Sequence, residues 1–325
     1  MVVVTGATGH LGNTLVRELL KKGKEVRALL HSEYTEPLDG LEVEKVTGDV
    51  RDFNSLVKAF KGSDIVFHIA ALSSFLPGHR ELLYRVNVLG TKNVVKACLV
   101  SGIKRLVYTG TIHALLEPPL GVVIDETLPF DQFLNIGWYG RTKARACFEV
   151  LKGIKQGLNS VIVLPTGFVG PYDFKPSRMG QFFIDFIKKK TIAYIDGAYD
   201  FVGIRDVAAG HILACEKGVV GESYILSGER ITVKDLLVIL EEVTGEKAPR
   251  LKIPISLARI STLFHPLYYN IKNKELRFSA YTLRTLVSNS FISYKKARSE
   301  LGYSPRPIKQ SIEDAIQWFR DNKRL

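Results

Sequence analysis

Cysteine is scarce in this 325-residue chain: Cys98, Cys147 and Cys215 stand far apart, with no C-x-x-C and no even-numbered set. That argues against a disulfide framework, points to reduced thiols in a cytoplasmic setting, and leaves no metal site to expect. Long apolar runs are missing too. No stretch of about eighteen uncharged apolar residues occurs, so no integral membrane segment is expected. A first strand starting at Val2 leaves no residues for a secretory leader. Neither a zinc-finger nor an RNP-type motif accompanies the excess of 45 Lys and Arg over 33 Asp and Glu. The net charge of +12 reads as a solvated basic surface, clustered only at 188–190, 272–274 and 323–324, that can draw an anionic cofactor or substrate. Nucleic-acid binding is not expected.

What is present is a hydrophobic content of 46%, enough for one large α/β unit and a smaller second lobe. Val2-Val3-Val4 is a short β-branched run leading into Thr5-Gly6-Ala7-Thr8-Gly9-His10-Leu11-Gly12. Leu15, Val16, Leu19 and Leu20 then follow at helical spacing until Gly23. Strand, glycine turn and helix in this order make a natural dinucleotide site. The glycines let the backbone approach a pyrophosphate, and the amides of the helix N-terminus face the anion. The spacing of Gly6, Gly9 and Gly12 departs from the commonest G-x-G-x-x-G pattern.

Further along, strands are expected at 25–30, 41–46, 65–69, 105–108 and 161–164, with helices at 55–60, 81–100 and 138–156. Alternation of this kind predicts a parallel, doubly wound sheet whose ligands lie at the carboxyl ends of the strands. The polar signals fall there: Thr5 to Gly12, Asp49-Val50, His68 to Ala71, Thr109 to Thr111, and Pro165 to Gly167. In Trp138-Tyr139-Gly140-Arg141-Thr142-Lys143, Tyr139 and Lys143 are four apart on a helix and share a face. A cation held near a phenol lowers its pKa from about 10, so the pair is a candidate acid-base catalyst.

Taken together these segments resemble the extended short-chain dehydrogenase/reductases over nearly the whole chain. Thr5-Gly-x-x-Gly-x-x-Gly12 is similar to that family's phosphate turn, Gly48-Asp49-Val50 to its adenine-side motif, and Asp64-x-Val66-x-His68-x-Ala70-Ala71 to its fourth-strand motif. Asn87-Val-x-Gly-Thr91 and Tyr139-x-x-x-Lys143 match as well. The resemblance implies a Rossmann-type core over 1–166, with 192–228 partly returning to it, and a smaller substrate-binding cap from 167–191 and 229–325. It implies Tyr139 as proton donor or acceptor, Lys143 lowering its pKa and holding the nicotinamide ribose, and Thr111, with Thr109 as second choice, on the substrate oxygen. Implied cofactor contacts are Gly6, Thr8, Gly9, His10, Leu11, His31, Ser32, Asp49, Val50, Ala70, Ala71, Asn87, Thr109, Tyr139, Lys143, Pro165, Thr166, Gly167 and Phe168, although Asn87 is more often structural in this family. Ser73, His113, Arg178, Phe182 and Tyr199 join Thr111 as candidate substrate contacts.

NAD-binding members place an acidic residue about twenty residues past the glycine turn. Here Leu30 stands at that place and Glu33 comes late, while His31 and Ser32 suit a 2′-phosphate. NADP is therefore the expected cofactor and NAD the alternative. For the substrate, Gly167 stands where nucleotide-sugar members usually carry Asn, and Tyr199 where they carry Arg. The expected reaction is reduction of a small or apolar carbonyl compound, or the reverse, as in dihydroflavonol-reductase-like proteins; the alternative is a sugar epimerase or dehydratase with tightly bound NAD. The helices at 81–100 and 138–156 often build homodimers in this family. The greasy, basic-ended segment 255–278 is read as cap packing or substrate wall, with a membrane-surface patch as the other option.

Overall fold

The computed structural model describes residues 1–74, 78–133, 137–263 and 280–325. The β-branched N-terminal run becomes β1 (Val2–Thr5), followed by β2 (Val26–Leu30), β3 (Glu44–Thr47), β4 (Ile65–His68), β5 (Arg105–Thr109) and β6 (Ser160–Pro165). Then come β7 (Gly167–Val169), β8 (Ala193–Tyr194), β9 (Ala198–Gly203), β10 (Ser223–Leu226), β11 (Glu229–Thr232) and β12 (Leu251–Lys252). Seven of these form one sheet in the order β10-β6-β5-β4-β1-β2-β3, with every neighbouring pair parallel. This is the doubly wound, Rossmann-type sheet expected. Its strand order reverses between β1 and β4, which opens a crevice above their carboxyl ends.

Both faces of the sheet are covered. Val2 and Val4 point into one hydrophobic core with α1 (His10–Lys21), while Val3, on the opposite face of the pleat, points into a second with α2 (Phe53–Phe60). The helical run expected over 81–100 is broken into α3 (Arg80–Leu83), a π-helical turn (Tyr84–Leu89) and α4 (Gly90–Val100). Periodicity alone sees one helix there. The wider turn carries Asn87, which is buried. α5 (Trp138–Lys155) follows with the Tyr139 and Lys143 pair in its first two turns. The expected strand at 41–46 forms later, as β3, because a tight turn from Val43 N–H to the Leu41 carbonyl delays the extended segment.

The remaining elements are α6 (Arg178–Ile187), α7 (Ile204–Lys217), α8 (Val233–Thr244), α9 (Ile255–Leu263) and the helices Ala280–Val287 and Ile308–Asp321. β11, β9 and β7 form a separate three-stranded sheet, whose apolar side chains share a third cluster with α6, α8 and the C-terminal helix. α7 and β10 return to the large sheet, α7 packing on α1. Ala297, Leu301 and Tyr303 also pack into the main core beside α7 and β10, although they lie in the stretch read as cap. Helical spacing says that such residues are buried, not against which layer. Residues 264–278 of the greasy segment lie outside the described residues. In the described part Ala258 is buried and Leu257 and Ile260 are exposed. No helix among the described residues is long and apolar enough to cross a membrane.

Three histidines, His68 and His211 fully buried and His113 half-buried, are built into this fold as neutral rings. Burial pushes His68 down to about 3, with Lys143 adding to the effect, and pushes His113 and His211 down to about 4. An unfolded histidine titrates near 6.5, so between that pH and about 4 the unfolded chain binds more protons and stability falls with pH. Asp200 opposes this, since burial raises it to about 6 and its cost is relieved as pH falls. The histidines outweigh it, by on the order of 4 kcal/mol between pH 8 and pH 5. The thermal midpoint should therefore drop by roughly 6 °C over that range, and His211→Gln should flatten the profile; equal midpoints at the two ends would contradict neutral burial.

Candidate active site

The site begins where β1 ends. Gly6 adopts φ +72° and lies so close to the end of β4 that a Cβ there would be 2.7 Å from the Ala70 amide nitrogen. A Cβ on Gly12 would lie 2.0 Å from the Gly6 carbonyl oxygen. Gly9 N–H closes the turn on the same carbonyl at 3.0 Å. The amides of the first turn of α1 have no partner four residues back within the helix, and Gly9 at its cap brings no side chain. This cradle of backbone donors fits a dinucleotide pyrophosphate. His10, Leu11 and Thr8 lie in it; Leu11 is buried and Thr8 half-buried.

The end of β4 is locked to the turn by a chain of hydrogen bonds. Ala70 N–H donates to the Thr5 hydroxyl, which donates to His68 Nδ1 at 2.8 Å. His68 Nε2 then donates to Thr91 Oγ1 at 3.0 Å, and Thr91 donates to the Asn87 carbonyl. Asn87 itself accepts from Leu72 N–H and donates to the Leu72 carbonyl and to Thr142 Oγ1. Both amide hydrogens are spent tying the loop after β4 to α5. Ala70 is half-buried and Ala71 and Ser73 are exposed along this loop.

At the far end of the crevice, β2 and β3 pair Leu30 with Thr47, which sets His31 and Ser32, both exposed, beside Asp49. Arg51, which the sequence reading missed, grips the Asp49 carboxylate through Nε at 2.9 and 3.0 Å. That hydrogen bonding holds Asp49 below the usual carboxylate range, against its partial burial, and His31 adds a smaller pull. The Asp-x-Arg spacing was the available signal. Val50 is buried, with its carbonyl taken by Asn93.

The catalytic candidates meet at the start of α5. A Cβ on Gly140 would lie 2.8 Å from the His113 carbonyl oxygen, so the missing side chain lets α5 dock on the segment after β5. Tyr139 thereby reaches Thr111, and the two side chains are hydrogen-bonded. Thr109, the second choice, has its hydroxyl committed to His211 Nε2 at 2.9 Å, so Thr111 is the hydroxyl beside the phenol. Lys143 is buried, donates to the Thr109 carbonyl at 2.5 Å and lies 4.5 Å over the Tyr108 ring. The downward pull on the Tyr139 pKa expected from Lys143 is outweighed here by the loss of water around the phenol. Burial pushes the phenol up to about 12, and the pull downward comes from Thr111. Burial likewise pushes Lys143 down to about 8. Desolvation works against the charged form of each, although an amine near 8 still carries its proton at neutral pH.

Beyond this pair lies an aromatic wall. The Tyr199 hydroxyl and His113 Nε2 are 2.7 Å apart and their rings stack, while Phe201 meets Tyr199 edge-on. β7 pairs with β9 so that Gly167 faces Phe201. A Cβ at Gly167 would lie 2.9 Å from the Tyr199 ring and 3.0 Å from the Phe201 ring. The two departures at Gly167 and Tyr199 are therefore one structural fact: the ring fills the space that a side chain at 167 would need. Pro165 is buried, and Thr166 donates to the buried Asp200 at 2.7 Å. Phe168 packs edge-on to His10. Phe182 packs in the cluster beneath α6 beside Phe183, and Arg178 stands exposed in the first turn of α6.

Comparison with known proteins agrees with this layout. The model of a family described as NAD dependent epimerase/dehydratase matches residues 2–227. The chain is 38% identical over 324 residues to sterol demethylase protein B of Methylococcus capsulatus, covering 98% of each. It is 34% identical to a Synechocystis protein provisionally named dihydroflavonol 4-reductase, covering 98% of this chain and 94% of the other. The crystal structure of gox2253 superimposes with a TM-score of 0.88 at 36% identity, covering 100% of this chain and 99% of that one.

Gly167→Asn should destabilise the fold by about 1–3 kcal/mol through overpacking against Tyr199 and Phe201. Adding Tyr199→Ala should recover part of that loss. Denaturant unfolding of both single variants and the double variant checks it, and strictly additive losses would show that the ring does not occupy this space.

Proposed function

Because the chain belongs to the NAD dependent epimerase/dehydratase family, among the extended short-chain dehydrogenase/reductases, we propose that it is an NAD(P)-dependent oxidoreductase interconverting a carbonyl and an alcohol on an apolar substrate. The observation that carries this reading is the packing of Tyr199 and Phe201 over Gly167, which puts aromatic carbon where a polar sugar-nucleotide anchor would stand. The names of two relatives speak of a sterol and a dihydroflavonol, not of a sugar nucleotide.

When bound, the nicotinamide supplies or accepts the hydride at the reacting carbon. The protein's part is the proton. Tyr139, kept protonated by its burial, donates to the substrate oxygen during reduction. Thr111, already bonded to Tyr139, offers that oxygen a second hydrogen bond as negative charge develops. Lys143 is fixed on the Thr109 carbonyl one helical turn away, and its charge favours the phenolate once the proton has left. The glycine turn holds the pyrophosphate, and the proposed cap over 167–191 and 229–325 closes the apolar side of the crevice.

The proposed cofactor is NADP. His31 and Ser32 are exposed at the end of β2, Arg51 adds a cation nearby, and Asp49 is already neutralised by it. NADPH should bind at least tenfold more tightly than NADH in a fluorescence titration, and a tenfold preference for NADH would overturn the assignment.

Incubated with reduced cofactor and a panel of aldehydes, ketones and flavanonols, the protein should consume cofactor. Tyr139→Phe should cut turnover by about 10²-fold or more with little change in dinucleotide affinity. Absence of any Tyr139-dependent turnover would sink the reductase reading. An epimerase would instead retain NAD through purification and convert a sugar nucleotide without net cofactor consumption.

A further inference from the structure

The phosphate turn contains a buried titratable pair that the proposed reaction does not use. His10 opens α1, and its Nε2 donates to the Pro171 carbonyl at 2.9 Å. Its other ring nitrogen, Nδ1, faces Asp173 Oδ1 at 3.7 Å, with side-chain exposures of only 10% and 2%. Neither of these two atoms has a hydrogen-bond partner among the described residues. The second carboxylate oxygen, Oδ2, accepts from Ser177 N–H at 2.8 Å. Tyr172, at φ +70°, turns the chain so that Asp173 points back at the ring.

With Nε2 carrying the hydrogen, a neutral His10 presents a lone pair to a carboxylate oxygen across a gap too long for a hydrogen bond. Two buried acceptors then face each other unsatisfied. One proton on Nδ1 converts the contact into a charge-assisted N–H···O bond. Burial opposes that proton and holds His10 below its ordinary pKa, while Asp173 pulls the other way. The positive end of α1, on which His10 sits, opposes it as well. An anion at the turn reverses that last influence.

The other charged groups around the pair are engaged with one another. Arg17 of α1 lies 4.5 Å over the Tyr172 ring. Arg205 of α7 reaches the Tyr172 hydroxyl and pairs with Asp314 of the C-terminal helix at 2.7 Å, with Glu18 of α1 in its field. From α6, whose start packs on Asp173, Arg178 is exposed.

We propose that His10 and Asp173 are a proton-linked clamp of the phosphate turn: binding of a dinucleotide pyrophosphate at Gly6 to Gly12 draws one proton onto the pair, which then pins the Pro171 to Asp173 segment against α1. The proposal rests on the reading of this turn as a dinucleotide site. It makes His10 and Asp173 positioning residues whose effect is on cofactor affinity and its pH dependence.

Titration calorimetry with NADPH and with NADH, in buffers of different ionisation enthalpy, counts the protons taken up on binding. Comparing wild type with His10→Phe and Asp173→Asn cancels the titration of the 2′-phosphate. Wild type should take up close to one proton more than either variant, and its affinity should weaken with rising pH by up to tenfold per unit, a slope the variants lack. Nitrogen-15 spectra of wild type alone should show His10 passing from one ring proton to two as dinucleotide is added, a readout independent of how the variants fold. Binding with equal uptake in wild type and variants, or an unchanged His10 signal, overturns the clamp and leaves the glycine-turn reading standing. Binding of neither dinucleotide at any pH overturns both.

Discussion

The turn after β1 exists only because Gly6 lets its backbone pass within a methyl group's width of the end of β4, and the rest of the crevice is arranged around that contact. β1 and β4 are the two strands between which the sheet reverses its order, so their carboxyl ends define where a dinucleotide can lie. Pressing them together leaves buried polar groups on both sides. Thr5, His68, Thr91 and Asn87 satisfy those groups in one chain, and the chain continues through Thr142 to the helix that bears Tyr139. The phosphate end and the proton end of the site are thus held by one network, in which an unpaired member would cost on the order of 1–3 kcal/mol.

Burial governs the chemistry of that network more than pairing does. Tyr139 and Lys143 share a helix face, yet each is pushed toward its neutral form by the loss of water around it. A phenol held near 12 keeps its proton until an oxygen takes it. His10 and Asp173 obey the same rule from the opposite direction: two groups placed close together in a dry pocket cannot both stay unprotonated without cost.

In the proposed reading, substrate selection follows from packing. Tyr199 occupies the volume beside Gly167, its hydroxyl is tied to His113, and Phe201 supports it from the side. A wall built this way ties the Tyr199 hydroxyl to His113 and packs aromatic carbon beside Gly167. That favours a ligand that is bound by contact area over one bound by charge.

Much of this was legible in the sequence. The glycine turn, the alternation of strands and helices and the Tyr139 and Lys143 spacing are local patterns, and local patterns follow from residue type and period alone. The family and the sheet were therefore within reach, as were the separate departures at Gly167 and Tyr199 from the nucleotide-sugar pattern. What only the tertiary structure decided are matters of long-range proximity and desolvation. These are the coupling of Gly167 to Tyr199 through steric exclusion, the commitment of Thr109 to His211 and of Asn87 to Leu72 and Thr142, the seating of Ala297 to Tyr303 in the main core, and the direction of the Tyr139 shift. The physical reason is the same in each case: periodicity records which side chains turn inward, but the partner they meet and the water they lose depend on segments distant in the chain, 161 residues away in the case of His10 and Pro171.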